Sequence, residues 1–214
     1  MQLITRVALI LVGVGAAAVL MTQSAKAQLG SGSMRVTYFI AEGSPQTGYL
    51  RSDRELARRA FEVWAEHAAG ALTWESASAE DDALVRLYWS QPGDQAFGEM
   101  RPLVVRGRRG AAVFVRADMS ALGTDLEMRT RQDPLWRDTI VYLTCLHELG
   151  HALGLEHTAQ FPDIMYFFGY GGDIAEYFGR FRRQLRSRDD IGKVSGLSQS
   201  DIARLHRLHP ATVR

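Results

Sequence analysis

The run His147-Glu148-Leu149-Gly150-His151-Ala152-Leu153-Gly154-Leu155-Glu156-His157 decides how the rest of the chain is read. His147 and His151 are four residues apart. On a helix turning about 100° per residue, their imidazoles lie some 40° from each other on one face. Both can therefore reach one ion. Glu148 follows His147 directly and points about 100° away, so its carboxylate reaches a water on that ion rather than the ion itself. Gly154 tolerates positive φ, ends the helix and reverses the chain. Leu155 and Glu156 then bring His157 back. Three histidines leave a fourth tetrahedral position open, the layout of a catalytic zinc rather than a closed structural one. Imidazole nitrogen suits zinc better than calcium or magnesium.

The chain has 6 His and 20 Gly among 214 residues, and half of those histidines lie in this one run. Five such fixed positions coincide by chance roughly 2 times in 100,000 when the pattern is treated as a regular expression. The surrounding residues agree with a metal site. Ile140, Leu143 and Thr144 share the face of His147 and His151, while Tyr142, Leu146, Leu149 and Leu153 cover the other side. A helix that is apolar nearly all round is buried. Polar groups inside it need a partner, which a metal supplies.

Outward from the run, Asp133-Pro134 opens this helix. Upstream, Met34–Ile40 reads as a strand. Ser52 or Asp53 caps a helix carrying Leu56, Ala60, Val63 and Trp64 at helical spacing, and Gly70 stops it. Leu72–Glu75, Leu84–Trp89 and Ala111–Arg116 are short strands, and residues 92–110, rich in Gly, Pro and Arg, read as loop. Downstream, Asp173–Arg188 is amphipathic, with Ile174, Tyr177, Phe178, Phe181 and Leu185 on one face and arginines around them. A basic amphipathic helix can lie on a membrane, but near-zero net charge favours a helix packed on the domain with a solvated Arg face. Ser198–Leu208 is a last helix. Interleaved strands and helices place the chain in the α+β, or mixed α/β, class.

Composition is that of a globular protein, with 46% hydrophobic and 23% charged residues. The lone Cys145 excludes an intramolecular disulfide and is expected to be core. A net charge of +1 gives no large field for steering onto nucleic acid, and no phosphate loop or nucleic-acid module is present. Residues 1–27 have Arg6, a 15-residue apolar run from Val7 to Met21, and Ala25-Lys26-Ala27. That is the layout of a secretory signal peptide. The run is shorter than the roughly 20 residues that span a bilayer, although an uncleaved N-terminal anchor is the alternative. The expected organisation is a signal peptide at 1–27, a linker at 28–33 and a single catalytic domain at 34–214. The expected location is outside the cytosol, secreted or periplasmic. Cleavage would remove Arg6 and Lys26 from the 25 basic residues and leave 23 against 24 acids, net −1.

The extended histidine pattern followed by Met165 resembles the metzincin zinc metallopeptidases. Met165-Tyr166 is most similar to the matrixin branch, the matrix-metalloprotease-like group that includes secreted bacterial members. Leu197-Ser198-Gln199-Ser200-Asp201-Ile202 is similar to the start of the matrixin terminal helix, and Ala60-Phe61 with Trp64 to its first helix. The resemblance implies a twisted, mostly parallel sheet of about five strands backed by helices, an active-site helix and a zinc cleft along an edge strand. Ala111–Arg116 is the candidate edge, where an extended substrate would pair by β-addition. Met165 would form a floor under the ligands without touching the metal. Phe167 stands where matrixins usually carry proline. Tyr166 lies one residue after the methionine, not two, so it is not assigned as a ligand. The family's propeptide cysteine motif is absent. The loop region 92–110 has no histidine for a second, structural zinc, so one zinc per chain is expected.

The expected activity is hydrolysis of protein or peptide bonds, with His147, His151 and His157 holding Zn²⁺ and Glu148 as general base. Phe167, Phe168 and Tyr170 are candidate pocket residues. Two other classes stay open: a zinc-holding binding or adhesion module that does not cut, and a zinc hydrolase acting on cell-wall peptides. His67, His206 and His209 read as surface residues without a third ligand at hand. Oligomeric state and cleavage preference are not readable from the sequence.

Overall fold

The computed structural model describes residues 33–91 and 96–211. The expected signal peptide and all but the last residue of the linker lie outside those residues. The first strand, β1 (Met34–Ile40), has the expected bounds, and helix α1 (Asp53–Glu66) follows it. Then come β2 (Leu72–Ser76), β3 (Val85–Trp89), β4 (Gly98–Val105) and β5 (Arg108–Val115). Four helices complete the order: α2 (Thr124–Gln132), α3 (Pro134–Ala152), α4 (Ile174–Arg182) and α5 (Gln199–Leu208).

The five strands form one sheet in the order β2-β1-β3-β5-β4. All neighbouring pairs are parallel except the β4–β5 hairpin. The mixed α/β class and the mostly parallel five-stranded sheet are therefore as expected. Buried Leu87, Val113 and Val115 of the sheet meet Phe61 and Trp64 of α1 and Ile140, Leu146 and Leu149 of α3. Trp64 Nε1 donates to the carbonyl of Leu146 at 2.9 Å, pinning α1 to α3 within the core. Cys145 is fully buried, as expected, and burial pushes its thiol up.

Two expectations fail here. Residues 92–110 are not all loop, because β4 occupies Gly98–Val105. The hairpin turns at Arg106 and Gly107, both at positive φ (50° and 77°), which suits a two-residue connection. Consequently Ala111–Arg116 is not the edge. Its residues Ala111 to Val115 fall on β5, which lies between β3 and β4, and β4 is the edge strand. Gly98 and Pro102 hid this strand, since both residues are depleted in strands. Arg116 N donates to the carbonyl of Phe97 at 2.9 Å, and the register then puts the backbone groups of Gly98, Met100, Pro102 and Val104 on the free side. Proline has no N–H to lose there, so an edge tolerates it.

One buried ion pair ties the entry of α1 to α3. Both carboxylate oxygens of fully buried Asp53 accept from Arg137 at 2.7 Å, and Asp53 also accepts from Leu50 N at 2.8 Å. Removing one member of such a pair leaves the other charge buried and unmatched. Asp53→Ala is therefore expected to lower the unfolding free energy by about 3 kcal/mol. Urea denaturation measures this, and a loss below about 1 kcal/mol would show the pair to be dispensable.

Candidate metal centre

The centre is built on the last two turns of α3. Asp133 caps that helix by accepting from Leu135 N at 3.1 Å, with Pro134 in the first turn. At the other end Leu155 N donates to Gly150 O and Gly154 N to His151 O, each at 2.9 Å, while Gly154 has φ 91°. This paired arrangement at a left-handed residue closes the helix and turns the chain back. The next residues pair with a following loop: Thr158 N donates to Met165 O at 2.9 Å and Phe167 N to Thr158 O at 3.1 Å. His157 is thus held between the helix end and the Met165 loop.

The three imidazoles converge. Nε2 of His157 lies 3.3 Å from Nε2 of His147 and 3.1 Å from Nε2 of His151. Among the described residues, these three histidines form the one group of His, Cys, Asp or Glu with metal-ligand spacing. Nδ1 of His147 donates to Ile164 O at 2.6 Å, and Nδ1 of His151 donates to Leu155 O at 2.8 Å. A carbonyl only accepts, so each Nδ1 carries the hydrogen and each neutral ring leaves a bare lone pair on Nε2. A tetrahedral zinc with bonds of about 2.0–2.1 Å separates its nitrogen ligands by about 3.3 Å, so this donor set fits that ion. His157 is fixed differently: its ring stacks on Phe167 at 4.8 Å between centroids.

Electrostatics keep the rings neutral. Burial, then the neighbouring His151, push His147 well below its usual range. Burial likewise lowers His151, and burial, then the neighbouring His151, take His157 down to about 4. Glu148 is 2% exposed, and burial, reinforced by the negative field of Glu99, pushes its carboxyl up to about 8. Gly98 at the start of β4 makes room for it: a Cβ there would lie 2.4 Å from Glu148 Oε1. Met165 is fully buried beneath α3, and a Cβ on Gly150 would lie 2.4 Å from its Sδ.

The other expected residues separate into contributors and bystanders. Phe168 lines a slot beside His147 and Glu148, together with Tyr177 and Phe178 of α4. Tyr170 is 65% exposed and leans edge-on against Phe167. Tyr166 donates from its hydroxyl to Gly171 O at 2.8 Å, away from the imidazoles. His206 and His209 use Nε2 on the carbonyls of His67 and Leu153. Sequence reading missed Phe97, which lines the slot, and Gly98, because both lie where loop was expected.

The sequence profile of the matrixin family matches residues 31–173 of this chain. No curated protein matches at the sequence level. Among solved structures, archaemetzincin from Methanopyrus kandleri is similar, at 16% identity and a TM-score of 0.42, over 85% of this chain and 98% of that one. Metalloproteinase-II from Bacteroides fragilis is similar at 15% identity and a TM-score of 0.42, over 83% of this chain and 54% of that one. Myroilysin is similar at 17% identity and a TM-score of 0.39, over 87% of each chain.

In the zinc-free protein the raised Glu148 carboxyl contributes stability that is complete below its unfolded value near 4.5 and is lost as pH rises through about 8. The depressed histidines act the other way, removing stability as pH falls below their unfolded 6.5. Glu148→Gln removes only the first effect. Between pH 5.5 and 8.5, in chelator, the variant should gain at least about 1.4 kcal/mol on the wild type, one pKa unit's worth. Urea midpoints at the two pH values measure this, and parallel curves would contradict it.

Proposed function

The chain belongs to the matrixin family of zinc metallopeptidases, and on that premise we propose that it is an endopeptidase in which His147, His151 and His157 hold one zinc and Glu148 moves the proton. The convergence of three Nε2 lone pairs beside a buried carboxylate carries this reading. Zinc bound there supplies Lewis acidity, which acidifies water and polarises a carbonyl. Glu148 is one residue from His147 and sits in a dry wall, so its basicity exceeds that of an exposed carboxylate. It accepts the proton of the attacking water and delivers it to the leaving amine. A base is needed for cutting and not for holding zinc, so the intact carboxylate favours hydrolysis over a binding module.

An extended peptide has a place to lie. The side of β4 that faces away from β5 offers N–H and C=O at Gly98, which lies against Glu148, and at Met100, while Pro102 offers a carbonyl alone. Secretion belongs to the same proposal and rests on the layout of residues 1–27. Among the described residues, no helix is long and apolar enough to cross a membrane.

Glu148→Gln is expected to retain one zinc per chain by metal analysis and to cut casein at least about 100-fold more slowly. Unchanged turnover would remove Glu148 from the reaction. His147→Ala, by contrast, should abolish zinc retention and activity together.

Phe167 is expected to act through His157, whose ring it faces. Phe167→Ala should weaken zinc binding about tenfold in chelator competition, and Phe167→Tyr should restore it, since groups that orient a ligand tune affinity on that scale. Equal affinity in the Ala variant would show that the stack has no such role.

A further inference from the structure

The turn that brings His157 back to the centre is held from outside by α5. Gly154 stands at its tip, with Leu153 before it and Glu156 after it. Arg204 donates from Nη2 to the carbonyl of Glu156, the residue just before His157. Its other terminal nitrogen, Nη1, is buried, so the guanidinium sits in the wall of the turn rather than in solvent. His209, just past the end of α5, donates from Nε2 to the carbonyl of Leu153 at 2.8 Å. That carbonyl belongs to the last turn of α3, where the helix itself supplies no donor. Leu208 lies between the two bonds, and an added Cβ on Gly154 would meet its Cδ1 at 4.0 Å.

His157 is the ligand that needs this support. His147 and His151 each have a carbonyl behind Nδ1, whereas among the described residues the His157 ring has the Phe167 stack alone. Its place therefore follows its backbone. Arg204 brings a charge as well as a bond. Burial first, and then among other causes the positive field of Arg204, lowers both His151 and His157. A guanidinium that close repels a second cation, which by itself weakens metal binding. What it gives the centre is geometry, through a charge-assisted bond to the carbonyl one residue before a ligand.

We propose that Arg204 and His209 are positioning residues for the third ligand: they clasp the turn from both sides of Gly154 and so set how tightly the centre holds zinc. The inference rests on the three-histidine zinc site proposed above and adds two residues outside the ligand set.

The test is zinc affinity by chelator competition on the full chain, with each zinc-free variant first shown by circular dichroism to keep the wild-type fold. Arg204→Met keeps the bulk of the side chain and removes both bond and charge. Its zinc affinity should fall about tenfold, the scale on which groups that orient a ligand act. Arg204→Lys keeps a donor and should recover most of that loss. Arg207→Ala, at an exposed arginine of the same helix, should bind zinc as the wild type does. If Arg204 acted through its charge alone, Arg204→Met would bind zinc more tightly. That result, or an unchanged affinity, overturns the inference and leaves the zinc site standing. Should Arg204→Met not fold, His209 decides. His209→Leu should lose about tenfold in affinity, and His209→Gln, which keeps an N–H, should regain it. A folded His209→Leu with wild-type affinity overturns the inference as well. His157→Ala that binds zinc as tightly as the wild type overturns the three-histidine reading, and the inference with it.

Discussion

Three neutral imidazoles aim lone pairs at one point inside the protein, and the surrounding structure is arranged to keep them there. Such a cluster is unfavourable by itself, because the nitrogens are partly dehydrated and present like charge to one another. Holding it requires each ring to be fixed from behind. For His147 and His151 that means Nδ1–H bonds to the carbonyls of Ile164 and Leu155. The first carbonyl comes from the loop after the helix and the second from the residue after the turn. The closing turn at Gly154 therefore does two things: it ends α3, and it places the carbonyl that orients a ring on that same helix.

Ile164 is the junction of the network. Its carbonyl accepts from His147 Nδ1 and from the Tyr177 hydroxyl, while its N–H donates to the Asp201 carboxylate at 2.8 Å. Asp201 also accepts from Ser198 N at 2.9 Å as part of the α5 capping box. Asp163 accepts from the hydroxyls of Ser198 at 2.7 Å and Ser200 at 3.1 Å. The helix start at Ser198 is thus bonded through two buried carboxylates to the loop that orients a ring of the metal centre. Residues far apart in sequence act together here because buried polar groups must find partners, and they found each other.

The parts that were legible in the sequence are those governed by local rules. The spacing of His147 and His151, the Asp133-Pro134 opening of α3, the Gly154 turn and the bounds of β1 all follow from helix periodicity, capping and β-propensity within a few residues. The parts that were not legible depend on distant contacts. Strand β4 contains Gly98 and Pro102, each explained only by surroundings that composition does not show: the Glu148 carboxylate for Gly98 and, for Pro102, a sheet edge with no further strand among the described residues. With that strand read as loop, the edge falls one strand inward, on β5. Helix α2, with just Leu126 and Thr130 buried, has too little apolar periodicity to announce itself. The aromatic face of Asp173–Arg188 was visible, but that Tyr177 and Phe178 would close a slot beside Glu148 was a property of packing.

Glu148 shows why that packing matters to chemistry. A carboxylate in water is a weak base, and a dry wall strengthens it by making its charged form unfavourable. Gly98 lets β4 approach closely enough to dry one side, and the apolar slot dries another. The same burial that raises its proton affinity destabilises the zinc-free fold whenever the group ionises. A bound cation next to it relieves that strain by favouring the carboxylate. On the proposed zinc reading, a cation there would answer both sides of the site at once: it would take up the imidazole lone pairs and give the carboxylate a counter-charge. Binding would then couple the stability of α3 and the Met165 loop to the presence of the ion.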